Sequence, residues 1–192
     1  MAGIKKAAVT EVFNGQSDIV IFDEVTDYNT ATFTSVTSSG LSLGQIVGDT
    51  TSWDGEDPTT DNIVDEQGGI IIAAATAGTY AFSCDVASTS KAMQTLLLKA
   101  KEVSAPGTSA SFSDVSELMK AVDLPVITRP IAIVNDEGNK FILFPKAKIV
   151  GSLKLDSKLW RIHISATAEL VDTATLGTFM MGKGKATADA SV

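Results

Sequence analysis

Few side chains in this 192-residue sequence have the type and spacing for covalent or metal chemistry. His163 is the only histidine, so any Ser-His-Asp or Cys-His arrangement has to use it. It falls in the middle of a strand-like stretch, and no nucleophile elbow, glycine-rich phosphate loop or paired-cysteine motif accompanies it. Cys84, the only cysteine, shares one face of a strand with Tyr80, Phe82 and Val86, which makes it a core residue rather than a nucleophile. The run Gly182-Lys183-Gly184-Lys185 resembles a phosphate loop only in composition, because no strand-loop-helix context surrounds it. Asp54, Glu56, Asp57 and Asp61 invite a calcium reading, but their spacing does not match an EF-hand loop, whose glycine follows three alternating oxygen ligands. Nothing fixes two carboxylates across a cleft. The sequence thus leads us to expect no catalytic residue, no metal site, no cofactor and no enzymatic activity.

The elements that would position any site are mostly strands. The clearest helix covers residues 88–103, where Ala92, Met93, Leu96, Leu97 and Ala100 recur at the three-and-four spacing of one helical face. Ser88 or Ser90 can cap its start, and Lys99 and Lys101 suit its C-terminal end. That face must lie on something apolar, so the helix is expected to cover the core of a β-structure. Residues 113–122, with Val115, Leu118, Met119 and Val122, are expected to form a second, shorter helix after a flexible stretch over 104–113.

Before the first helix, residues 19–25, 32–37 and 41–48 read as a strand meander. Residues 49–67 follow, with seven acids, no base, Trp53 and one proline, and read as a long exposed acidic loop. A large aromatic in a polar loop packs on something: Trp53 folds back on the sheet in a monomer or anchors a neighbour in an assembly. Residues 69–75 and 79–86 are expected to pair as a hairpin across 76–78. In the last third, 126–134 and 141–144 form a hairpin across 135–139, whose Asn, Asp and Gly tolerate positive φ. Pro130 and Pro145 cannot donate to a ladder, so each marks an edge, an end or a bulge. Residues 147–155 turn at 156–158 into an alternating strand over 159–171, with Trp160, Ile162, Ile164, Ala166, Ala168 and Leu170 on its core side. Residues 1–14 and 172–192 read as terminal arms flanking a single mainly β domain, a sandwich or barrel with one packed helix.

Hydrophobic residues make up 44% of the chain but aromatics only 6%, and mean hydropathy is +0.20; a permanent oligomer would bury that apolar excess. The one cysteine excludes an internal disulfide and fits synthesis in a reducing compartment. Lys5 and Lys6 imitate a basic leader, but Thr10 and Glu11 interrupt it at once, and no run approaches the roughly 20 apolar residues of a membrane helix. The net charge of −8 is unevenly spread: residues 7–90 hold thirteen acids and no base, whereas 91–192 hold thirteen bases and ten acids. Such asymmetry favours copies that meet head to tail. It disfavours a phosphate-gripping nucleic-acid binder.

In layout the chain resembles bacteriophage tail tube proteins, the group that includes the tube protein of type VI secretion. The resemblance lies in the early strands, the stretch 49–67, the strands over 69–86, the helix, the strands over 126–171 and a polar arm at each end, with local similarity at Trp53-Asp54-Gly55-Glu56 and Gly78-Thr79-Tyr80-Ala81-Phe82. The segment 104–124 departs from the pattern. The resemblance implies a virion structural protein, made in a host bacterial cytoplasm, whose partners are itself and other tail proteins. By that resemblance copies would form stacked six-fold rings, with DNA as non-specific passing cargo and no membrane contact. The acidic stretch, with Trp53, Asp54, Glu56, Asp57 and Asp61, would bridge ring to ring. Two other classes fit the same residues: another virion ring or decoration protein such as a connector or tail terminator, or a monomeric β-sandwich binding module using Trp53, Trp160 or Tyr28.

Overall fold

The computed structural model describes residues 18–44, 46–56, 59–64, 70–76, 78–87, 90–104, 107, 115–135, 140–156 and 159–184. In chain order its elements are β1 (Asp18–Phe22), α1 (Phe33–Val36), β2 (Gly40–Ser42), β3 (Ser52–Gly55), β4 (Thr59–Val64), β5 (Ile70–Thr76), β6 (Tyr80–Val86), α2 (Lys91–Leu97), β7 (Lys101–Glu102), β8 (Met119–Lys120), β9 (Val126–Val134), β10 (Lys140–Asp156), β11 (Leu159–Ala168) and β12 (Met180–Lys183). The fold is mainly β, as its alternating stretches require.

The principal sheet is antiparallel, in the order β2-β1-β9-β10-β11-β6-β3, with β12 on the first half of β10. It closes on itself. After β2 pairs with β1, Leu43 N–H still donates to Ile19 O at 2.8 Å, and four residues later Val47 N–H donates to Asp85 O of β6, also at 2.8 Å. Residues 40–43 on β1 and 46–47 on β6 therefore bring the two sides of the strand path together, and a barrel removes the edges that an open sheet would leave. Its interior is filled by alternate residues of every wall, among them Ile19, Ile131, Ile149, Ile164, Phe82 and Cys84.

The hairpin β9–β10 forms at the expected place, with Asn135 Oδ1 accepting from Lys140 N–H at 2.8 Å. Its ladder slips between Phe144 and Ala147, so that Pro145 lies within a bulge and Pro130 faces it. Neither proline can donate, and the extra residue keeps Phe144, Ala147 and Ile149 all facing inward. The outer face of β1, β9 and β10 is apolar as well. Val20, Phe22, Ala132 and Leu143 are covered there by Ala31, Val36, Val171 and Leu176.

Helix α2 closes one end of the barrel. Ser90 Oγ caps it by accepting from Met93 N–H, and Met93 and Leu97 enter the interior cluster. It is shorter than the expected 88–103. Lys99 turns to φ +50°, and the amides of Leu98 and Ala100 both donate to Gln94 O, which terminates the helix and redirects the chain into β7. Of the other expected face residues, Ala100 is buried beyond the helix end, and Ala92 and Leu96 are half-buried.

Three further expectations are corrected. Residues 32–37 are not a strand, because Thr32 and Ser35 form a reciprocal capping box that starts α1. No helix forms over the described part of 113–122. Met119–Lys120 pairs with Lys101–Glu102 instead, and Leu118 and Val122 are exposed, so no buried apolar face exists to hold a helix there. The described part of the expected C-terminal arm lies on the barrel, with Leu176 in the outer cluster and Met180–Lys183 paired to β10. The expected arm over 1–14 and the segment 108–114 lie outside the described residues.

Candidate assembly interface

The stretch 49–67, expected as a loop, contains β3 and β4, and the expected pairing of 69–75 with 79–86 does not occur. Instead β3 pairs with β6 and β4 with β5. The two pairings share one register: Ser52 opposes Ser83, Gly55 opposes Tyr80, Thr59 opposes Thr76 and Ile63 opposes Ile72, each step along one strand matched by a step back along the other. Between the two pairings Glu56 N–H donates to Thr79 O at 2.9 Å. Residues 52–64 and 70–86 thus form one long hairpin, rooted in the barrel through β6. Beyond Glu56, among the described residues, β4 and β5 pair only with each other, and at about 3.3 Å per residue β4 alone spans roughly 20 Å.

The root is held by aromatic stacking. Trp53 lies 5.3 Å from the Phe144 ring at 26° and 6.3 Å edge-on from Phe82, its direct cross-strand partner. Both partners belong to the interior cluster, so Trp53 covers the barrel end while remaining 42% exposed. Asp54 and Glu56 are exposed. Glu56 accepts from Thr79 Oγ1 at 2.6 Å and from the Thr79 amide, and these bonds hold its carboxyl below the usual range. Asp61 lies on β4 opposite Ala74, and Asp57 is outside the described residues.

A second feature is apolar. The β10–β11 hairpin runs past α2, where Leu153, Leu155 and Trp160 of the inward-facing row are 51%, 57% and 55% exposed. Leu155 and Trp160 are direct cross-strand partners, and Leu153 and Trp160 with Gln94 and Leu98 of the helix end line a groove of about 290 Å³. Leu124 is exposed nearby, one residue before Pro125, whose carbonyl accepts from Gly151 N–H. Lys99 follows Leu98 in the chain, and beyond it Lys101 and Lys120, both exposed, oppose each other directly across β7 and β8, next to Glu102, which pairs with Lys91.

The third feature was not evident from local sequence. Asp85, 8% exposed, joins β6 to β11: its carboxylate accepts from Arg161 at 3.1 Å and lies 2.6 Å from His163 Nδ1. Burial pushes its pKa up, but the hydrogen bonds from His163 and Arg161 outweigh burial and hold it below the usual carboxylate range. The backbone of Asp85 also fastens the segment that closes the barrel, through Val47 N–H to Asp85 O and Asp85 N–H to Thr50 Oγ1. A lone acid in the strand YAFSCDV was the available signal, but its partners lie 76 and 78 residues away. Cys84 beside it is fully buried, its thiol pushed up to about 12 by burial and then by the Asp85 charge. Among the described residues no group of three or more His, Cys, Asp or Glu side chains is placed to hold a metal ion, and no helix is long and apolar enough to cross a membrane.

Compared with models of known protein families the chain matches none, and no curated protein sequence matches it significantly.

Proposed function

We propose that this chain is a virion structural subunit that assembles with copies of itself into stacked rings, forming the hollow tail tube through which phage DNA passes. The observation that carries this reading is the long hairpin over 52–64 and 70–86. A two-stranded ribbon alone is marginal in water and has two unpaired edges, so a ribbon of this length is suited to reach a neighbour. The charge separation supports the same reading, since the stretch 49–67 carries seven acids and no base while the bases lie largely after residue 90. A net charge of −8 also fits a channel that lets DNA slide without holding its phosphates.

The test is to cut the arm without touching its root. Glu56 and Thr79 are cross-strand neighbours, so replacing residues 57–78 by Asn-Gly closes the hairpin with a two-residue turn. The shortened chain is expected to keep its circular dichroism spectrum and remain a monomer by light scattering under conditions where the full chain assembles. Assembly of the shortened chain at full-length concentrations would remove the arm from the contact.

A further inference from the structure

We infer that residues 46–50 are a latch: they fasten the seam of the barrel to β6 and release it as a unit, hinged at Gly44 and Asp49, while the rest of the wall stays paired. The latch belongs to the barrel alone and does not depend on how copies assemble.

The seam is held differently on its two sides. Toward β1 it is a regular ladder, in which the pairing of β1 with β2 is continued by Leu43 N–H to Ile19 O, and Leu43 is fully buried. Toward β6, before β3 begins, the ladder thins to one bridge, Ile46 opposite Val86, and to bonds that meet at Asp85. Val47 N–H donates to Asp85 O at 2.8 Å. Thr50 Oγ1 accepts from Asp85 N–H at 3.1 Å and itself donates to Val47 O at 2.7 Å. One hydroxyl thus pins the segment both to β6 and to itself. Ile46 packs on the interior cluster but is only partly buried, and Gly48 and Asp49 are exposed, so little apolar contact adds to these bonds.

Both ends of the segment are built to turn. Gly44 stands at φ +70° and Asp49 at φ +61°, in the left-handed region that glycine enters freely and aspartate tolerates. A Cβ at Gly44 or Gly48 would meet no atom within 4 Å, so no neighbour grips either position. Rotation at two such residues lifts 46–48 off β6 as one piece and leaves β2 on β1 and β3 on β6.

The amide of Asp85 belongs to the latch rather than to the sheet. Its N–H and C=O face residues 47–50, so strand alternation turns the N–H groups of Cys84 and Val86 toward β11, where those residues oppose Ile164 and Ile162. Opening of the latch alone frees Asp85 N–H, whereas Cys84 and Val86 N–H are freed only when β6 leaves β11.

Residue-resolved hydrogen exchange of the full chain tests this. The protection factors of Val47 and Asp85 should agree within about threefold and lie at least about tenfold below those of Cys84 and Val86. Thr50→Val keeps the shape of the side chain and removes the pin. Val47, whose own bond to Asp85 O that change leaves in place, should then exchange about tenfold faster, with Cys84 and Val86 unchanged. Ile46→Cys with Val86→Cys puts two thiols at direct cross-strand positions, and closing that disulfide should slow Val47 and Asp85 at least about tenfold relative to the reduced form of the same variant. The latch is overturned if Asp85 is as protected as Cys84 and Val86, or if Val47 and Asp85 exchange independently. It is equally overturned if Thr50→Val, folded by circular dichroism, leaves Val47 unchanged, or if the closed disulfide leaves both amides exchanging as in the reduced form.

Discussion

Asp85 is the residue whose position the sequence conceals and the fold most depends on. Three strands' worth of connections converge on it, since its carboxylate holds Arg161 and His163 on β11 and its backbone holds the 47–50 segment that closes the barrel. Its folded-state pKa lies below the unfolded value, so the carboxylate contributes stability that is present above the unfolded pKa of about 3.9 and lost as the pH falls through the lower folded value. Asp85→Asn is expected to cost on the order of 3 kcal/mol near neutral pH, because it leaves Arg161 without its buried anion. The loss should shrink as the parent is acidified below pH 4, a convergence that denaturant melts at several pH values would reveal. A constant difference across that range would mean that the ion pairs are not what Asp85 contributes. Local reading placed Cys84 correctly in the interior from its alternation with Phe82 and Val86. The same alternation put Asp85 and His163 on outward-facing rows of their strands, but the register that joins those rows is set by pairing across distant segments.

Among elements, those with strong local chemistry were the legible ones. The β9–β10 hairpin follows from a turn stretch that opens with Asn135, and α2 follows from a serine cap and the Met93–Leu97 spacing. The acidic arm was hidden because Asp, Gly and Pro mark loops, although Thr59–Val64 has the composition of a strand once its partner is known. The seat of α2 rests on a contact that no spacing predicts. A Cβ at Gly151 would lie 2.2 Å from the Leu97 carbonyl oxygen, so only glycine lets the helix end approach β10 this closely. Gly151→Ala should therefore push α2 outward and cost about 1–3 kcal/mol, measured by chemical denaturation. A neutral substitution would show that the helix is not seated on β10 in solution.

On the scale of the whole molecule, the barrel is self-contained and two of its features are not. Among the described residues β4 and β5 form a two-stranded sheet of their own, and the tip of β10–β11 carries exposed apolar residues. A chain that repeats one head-to-tail contact, as the tube reading proposes, would use both. The measurement that tests this most directly is negative-stain electron microscopy of the purified full chain across a salt series, with mass from light scattering. The account predicts hollow rings or tubes whose abundance falls as salt screens the attraction between the acidic and basic parts of neighbouring copies. A homogeneous 20.0 kDa monomer at high concentration and low salt would contradict it.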